Sequence, residues 1–166
     1  MLPVLWFGVA AAAVRPMVDP ATPAAAAVRP MVDPATPAAN RTSVDSRGNA
    51  LSLVFSDEFE TAGRMFGAGA DPYWEALDHY NPTTNDLEYY AASAVTTVGG
   101  KLTITASNTP HAPQQYTSGM LTSWNQMCFT GGVVDVSVQL PGEPLVQGFW
   151  PAVWMMGSSA GLACRL

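Results

Sequence analysis

The chain has 166 residues, a net charge of −6 and only 12% charged side chains. That length is enough for one domain with a real core. Its seven Lys and Arg are scattered singly and build no basic face, which argues against a nucleic-acid partner. An acidic, charge-poor chain suits a neutral partner such as a sugar polymer, or none, and identifies neither.

Residues 2–14 carry no charge. The run is shorter than the roughly 20 residues of a membrane-spanning helix, and no basic segment precedes it. An apolar run that opens on Met1 and ends in alanines nevertheless reads as a signal segment or the remnant of a signal anchor over residues 1–14, which would associate the chain with a membrane. The alternative is a buried strand or helix of the domain. Residues 12–25 are then repeated without change in residues 26–39, and each copy holds three prolines: Pro16, Pro20 and Pro23, then Pro30, Pro34 and Pro37. Two proline-rich copies are too few to stack into a solenoid, and proline blocks helix interiors. Residues 15–48 are therefore expected to form an extended linker with polyproline character. Asn40-Arg41-Thr42 is a glycosylation sequon, which leans toward the secretory route.

The folded part is expected to begin at residue 49. Leu51, Leu53 and Phe55 alternate with Ser52, Val54 and Ser56, a strand period of two. Residues 94–106 read as a hairpin turned at Gly99-Gly100, with Leu102, Ile104 and Ala106 on one face and Thr103 and Thr105 on the other. In residues 133–140, Val134, Val136, Val138 and Leu140 line one face, and Asp135, Ser137 and Gln139 the other. No segment sustains a helical apolar period. Short strands separated by Gly and Pro turns predict an all-β sandwich or barrel.

Cys128 and Cys164 could form one disulfide in an oxidising compartment, which spacing alone does not decide. His79 and His111 have no partners at metal or triad spacing, so they are expected on the surface or in loops. Nothing in the sequence implies a cofactor or a metal.

Four segments, in order, resemble glycoside hydrolase family 16. They are Phe55-Ser56-Asp57-Glu58-Phe59, then Asn85-Asp86-Leu87-Glu88-Tyr89-Tyr90, then Ser118-Gly119-Met120, then residues 148–157. Residues 129–142 match the family's strand after the Ser-Gly step. Residues 31–37, 53–59, 71–76, 123–132 and 148–157 are similar to a narrower branch, the fungal β-glucan synthesis-associated proteins of the cell wall. The resemblance implies a concanavalin-like jelly-roll sandwich, incomplete at its C-terminal side and spanning residues 49–157. Residues 158–166 are a divergent tail. It also implies a glucan cleft on the concave sheet, and a place on the secretory route, membrane-anchored or in the wall.

In a strand, Trp150 and Trp154 share one face. Two indoles there would make a platform for pyranose rings, although by pattern alone both could be core residues. The resemblance favours the platform. It also puts Asn85 and Glu88 near sugar subsites, where the plainer reading is a turn and a strand edge. Asp57-Glu58 resembles a catalytic pair, but neighbours in a strand face opposite ways, so a structural role is expected. Retaining glycosidases use two carboxylates about 5 Å apart. The family carries them in a Glu-x-Asp-x-x-Glu motif after the Trp-Pro segment, and residues 144–166 contain no Asp or Glu. The sequence assigns no catalytic residue. The reading is a fragment of a protein that assembles or remodels cell-wall β-glucan (β-1,6-glucan by the resemblance), inactive by itself. The rivals are a non-catalytic glucan-binding or scaffold domain, and a truncated gene product without function of its own.

Overall fold

The computed structural model describes residues 30–127, 129, 132–143, 145 and 148–156, and the backbone course of residues 4–13. The fold is all-β. Its strands are β1 (Val4–Ala13), β2 (Thr42–Val44), β3 (Ala50–Asp57), β4 (Glu75–Ala76), β5 (Glu88–Tyr90), β6 (Val95–Thr97), β7 (Leu102–Thr105), β8 (Tyr116–Ser118), β9 (Leu121–Thr122) and β10 (Val133–Gln139). Among the described residues the helical pieces are two 3-10 turns, Ala38–Asn40 and Ala92–Ala94.

The main sheet runs β2-β3-β1-β7-β6, and β10 joins it at β1. Two smaller ladders flank it: β4 with β9, antiparallel, and β5 with β8, parallel. The hairpin expected at 94–106 forms. β6 and β7 pair with Thr97 opposite Leu102, and Gly99 and Gly100 take φ of 59° and 71°, the left-handed region that a tight turn needs there. Thr103, on the face opposite Leu102 and Ile104, is buried along with them, so this strand is covered on both sides. β10 matches the alternating segment at 133–140; Val134 and Val136 are half-buried, and Val138 and Leu140 are exposed.

The N-terminal expectations require correction. Val4–Phe7 lie opposite β7, Val9–Ala13 lie opposite β3, and Trp6–Ala13 lie opposite β10. The apolar run is thus a strand paired along both edges, the alternative to a signal or anchor segment. The expected linker also fails over its second half. Ser56 N–H donates to Met31 O, Arg41 donates to the carbonyls of Thr36 and Pro34, and β2 pairs with β3. Proline content excluded helix, as reasoned, but it did not exclude docking against an existing strand edge. Residues 14–29, both cysteines and the tail from 157 onward lie outside the described residues.

Among the described residues 148–156 the expected strand is not present. Residues 149–156 run without ladder pairing, and Pro151 supplies no N–H to one.

The core is built on Phe59, Phe66, Ala76, Val95, Leu102 and Ile104, with Trp74 and Leu121 packed against it. A buried ion-pair node sits beside it. Arg64 donates to both oxygens of Asp57 at 2.8 and 3.0 Å and to Asp71 at 2.6 Å. Its guanidinium lies 5.2 Å from the ring centre of Phe59 and 4.9 Å from that of Phe66. Asp57 also accepts from Trp74 Nε1 at 2.8 Å.

Two outcomes are expected. Arg64→Ala leaves two buried carboxylates without their cation and lowers stability by about 3–5 kcal/mol; an unchanged urea midpoint would remove the node from the account. A Cβ on Gly119 would stand 2.6 Å from Val95 Cγ2 and 3.0 Å from Ile104 Cγ2. Gly119→Ala should therefore cost about 1–3 kcal/mol of overpacking, read by thermal unfolding, and a neutral result would show that the strand gives way cheaply.

Candidate functional site

Away from that node, β5 carries a group of polar and aromatic side chains in mutual contact. Its parallel partner β8 sets Glu88, Tyr89 and Tyr90 opposite Tyr116, Thr117 and Ser118. His79 and Tyr90 exchange backbone hydrogen bonds, both 3.0 Å, on the other side. Successive side chains of a strand alternate between faces, so Tyr89 and Tyr90 enter different surroundings. Tyr90 donates its hydroxyl to Asp86 Oδ2 at 2.9 Å, and its ring meets His79 edge-on at 5.9 Å. The ring of Tyr89 stacks flat on His111, with centroids 3.7 Å apart and planes 3° from parallel.

His111 is held in that place by a short turn. His111 and Gln114 exchange backbone hydrogen bonds of 3.0 and 2.8 Å, and Gln114 Nε2 donates to Asp86 O at 2.6 Å. Gln114 and the His111 ring therefore both tie the turn to the 85–90 segment. Asn85 adopts φ 57°, a conformation that asparagine tolerates better than most residues. Burial, then Asp86, then Glu88 push the Tyr90 hydroxyl well above its ordinary pKa of 10.0, because a tyrosinate there would be desolvated beside two carboxylates.

The residues singled out by sequence fall in two places. Asn85 is exposed and Glu88 half-buried, both on the β5 segment. Trp150 and Trp154 stand on the unpaired 149–156 stretch, 96% and 56% exposed. Without a strand, the parity that put both indoles on one face has no backbone to rest on. None of the hydrogen bonds or ring contacts that build the β5 cluster uses either indole. Sequence reasoning missed Tyr89, His111 and Gln114 as a group, because nothing local joins 89 to 111. His79 and His111 are both exposed, as expected, but both are engaged with tyrosines. Asp57 is fully buried in the ion-pair node and Glu58 takes a hydrogen bond from Thr36, so the pair is structural.

Chemically, the β5 cluster offers a flat aromatic surface edged by carboxylates and an amide, features suited to a polyhydroxylated ring. A cavity of about 30 Å³ between β2, β3 and β10, lined by Asn40, Arg41, Leu53, Val133 and Asp135, is a different matter. It has room for about one water and none for a sugar.

The family model of the beta-glucan synthesis-associated proteins SKN1/KRE6/Sbg1 matches residues 11–162. The chain belongs to that family. The beta-glucan synthesis-associated protein SKN1 of Saccharomyces cerevisiae is 44% identical over 148 residues, which are 89% of this chain and 17% of that protein. KRE6 of the same yeast is 46% identical over 111 residues, 67% of this chain and 15% of its own length. The endo-1,3-1,4-beta-glycanase EglC of Rhizobium meliloti is 31% identical over 138 residues, 71% of this chain and 29% of the glycanase. The chain thus spans less than a third of each relative. The glycanase likeness supports the relationship to glycoside hydrolase family 16 implied by the motifs. No solved structure matches the chain.

The Tyr90 environment yields a pH prediction. Because the folded-state pKa is raised, the stabilisation is fully present below pH 10.0, the ordinary value, and is lost as pH rises through the folded-state value. Stability should fall on the alkaline side, and Asp86→Asn should weaken that dependence. Ultraviolet titration of tyrosinate alongside urea unfolding provides the check; Tyr90 ionising at the ordinary value of 10.0 would contradict the geometry.

Proposed function

We propose that this chain is the glucan-contacting part of a cell-wall β-glucan assembly or remodelling protein, and that by itself it binds glucan without cleaving it. The observation that carries the reading is the exposed aromatic pair Trp150 and Trp154 in a member of a β-glucan synthesis-associated family. Large exposed aromatics cost solvation unless something covers them, and the C–H faces of a pyranose ring suit an indole. Asn85 and Glu88, beside the Tyr89–His111 stack, are proposed as further sugar contacts. No residue is assigned a catalytic role.

The sequon supports a place on the secretory route and in the wall. Asn40 is exposed at the end of a 3-10 turn and Thr42 begins β2. Among the described residues no helix is long and apolar enough to cross a membrane, and residues 4–13 run as β1. The proposal rests on the wall polymer as partner.

A second reading, a scaffold that contacts protein, draws on the apolar strip around the indoles. Leu145 is 96% exposed, and Phe149, Val153, Met155 and Met156 are exposed with it. Such a strip exceeds what sugar stacking uses and suits a protein interface.

Affinity electrophoresis in laminarin and pustulan separates the two readings. Glucan contact predicts retardation that W150A/W154A weakens at least about tenfold, with no release of reducing sugar. Mobility unaffected by either polymer would favour the scaffold, and turnover abolished by Glu88→Gln would give Glu88 the catalytic role denied to it here. Expressed in a eukaryotic secretory host, the chain should carry one glycan that N40Q removes, seen as a mass shift.

A further inference from the structure

The second copy of the repeat is docked against β3 by a specific set of hydrogen bonds. Ser56 N–H donates to Met31 O at 2.9 Å, and Asp33 N–H donates to Ser56 Oγ at 2.9 Å. The hydroxyls of Thr36 and Ser56 lie 2.7 Å apart, and Thr36 Oγ1 donates to Glu58 Oε1 at 2.7 Å. Glu58 N–H in turn donates to Asp33 Oδ2 at 3.1 Å. Arg41 closes the far side, giving Nε to Thr36 O and Nη2 to Pro34 O, both at 3.1 Å. Asp33 also folds the segment on itself, its Oδ1 accepting from Ala35 N–H at 3.0 Å. Thr36 is only 2% exposed. This is a built slot, and it reads Asp at one position and Thr three residues later.

The first copy supplies the same groups. Met17, Asp19, Pro20, Ala21 and Thr22 repeat Met31, Asp33, Pro34, Ala35 and Thr36 in an unbroken identity of residues 12–25 with 26–39. The slot's own members do not depend on which copy fills it. Ser56 lies near the end of β3 and Glu58 directly after it, and Arg41 is fixed to that strand because Leu53 N–H donates to its carbonyl at 3.0 Å. The chain lengths also balance. Starting from Ala13, the last residue of β1, the second copy uses a long connection before the slot and the short one, 37–40, after it. The first copy would reverse the two. For long flexible loops closure entropy grows only with the logarithm of length, so a 23–40 connection would cost little more than 37–40, while residues 14–16 would have to span their gap nearly extended.

We propose that the slot of Ser56, Glu58 and Arg41 is a recognition site for an Asp-Pro-Ala-Thr segment, and that Asp19-Pro20-Ala21-Thr22 is a second ligand for it. The two copies exchange within one chain. The site is independent of the glucan reading, since none of its residues belongs to the β5 cluster or the indole pair.

The test uses the full chain and three variants, D33A/T36A, D19A/T22A and all four substitutions together, followed by amide hydrogen exchange at Ser56 and Glu58. Exchange between copies predicts that either double variant keeps both amides within about threefold of the parent chain, while the fourfold variant speeds them at least about tenfold further. D33A/T36A exchanging as fast as the fourfold variant, or failing to fold as that one fails, would overturn the proposal, because the first copy would then not substitute. All three variants matching the parent would overturn it too, since the slot would hold nothing. Sedimentation adds the remaining outcome. A dimer formed by D33A/T36A and lost in the fourfold variant would mean docking between chains, and would refute exchange within one.

Discussion

The buried triad of Asp57, Arg64 and Asp71 is the constraint on which the described fold depends. A carboxylate with no solvent exposure is costly unless its charge is answered and its lone pairs are used. Asp57 meets both conditions: two bonds from Arg64, one from the Trp74 indole and one from the N–H of Phe59 at 3.0 Å. Asp71 similarly caps Tyr73 and Trp74 N–H while it holds Arg64. The backbone N–H of Arg64 then donates to Thr97 Oγ1, which brings in β6. Three stretches thus converge on Arg64, its guanidinium lies over the rings of Phe59 and Phe66, and the rings of Phe55, Phe59, Tyr73 and Trp74 meet in successive contacts at centroid distances of 5.3–5.9 Å. Phe59 is held at φ 56°, an uncommon conformation for a bulky side chain, by its own bond to Asp57.

The same five residues face two ways. Along β3 the odd positions, Phe55 and Asp57, serve the aromatic and ion-pair side, and Phe59 continues that set. The even positions, Ser56 and Glu58, serve the docked 31–36 segment. The strand period of two therefore turns Phe-Ser-Asp-Glu-Phe into a lock between two layers, neither of which closes without it. This gives the adjacent acids Asp57 and Glu58 a complete structural account. Each takes a separate hydrogen-bond set on a separate side, and neither faces the other as a catalytic pair would.

Legibility followed the range of the interactions. The 95–105 hairpin was readable because its turn and alternation are local, and β10 because its apolar period runs unbroken. The docking of residues 31–36 was not, because proline content reports what a segment cannot form and is silent on whether Asp33 and Thr36 have partners waiting on β3. The Tyr89–His111 stack was hidden for a related reason: its two halves meet through a turn that Gln114, distant in sequence, ties to the 85–90 segment. The Asn85 and Glu88 candidates were found from a motif, whereas the aromatic and amide groups around them follow from the register of β5 on β8. The strand expected around Trp150 and Trp154 was lost to Pro151 and to the absence of a pairing partner among the described residues, neither of which hydropathy weighs.

The N-terminal run shows why hydropathy alone does not assign such a segment. A signal h-region and an interior strand are both selected to be uncharged and apolar, one to enter a translocon or membrane and the other to sit among strands on both sides. Over about ten residues the two demands give the same composition, and only pairing separates them. Here β1 is the single strand to which β10 is laddered, and it also bridges β3 to β7. Without it the main sheet would divide into β2-β3 and β7-β6, with β10 attached to neither. The ion-pair node would then have to hold β3 against β6 through side chains alone. The two devices are complementary: backbone ladders through β1 fix the strands edge to edge, and the charged node fixes the loops that cross above them.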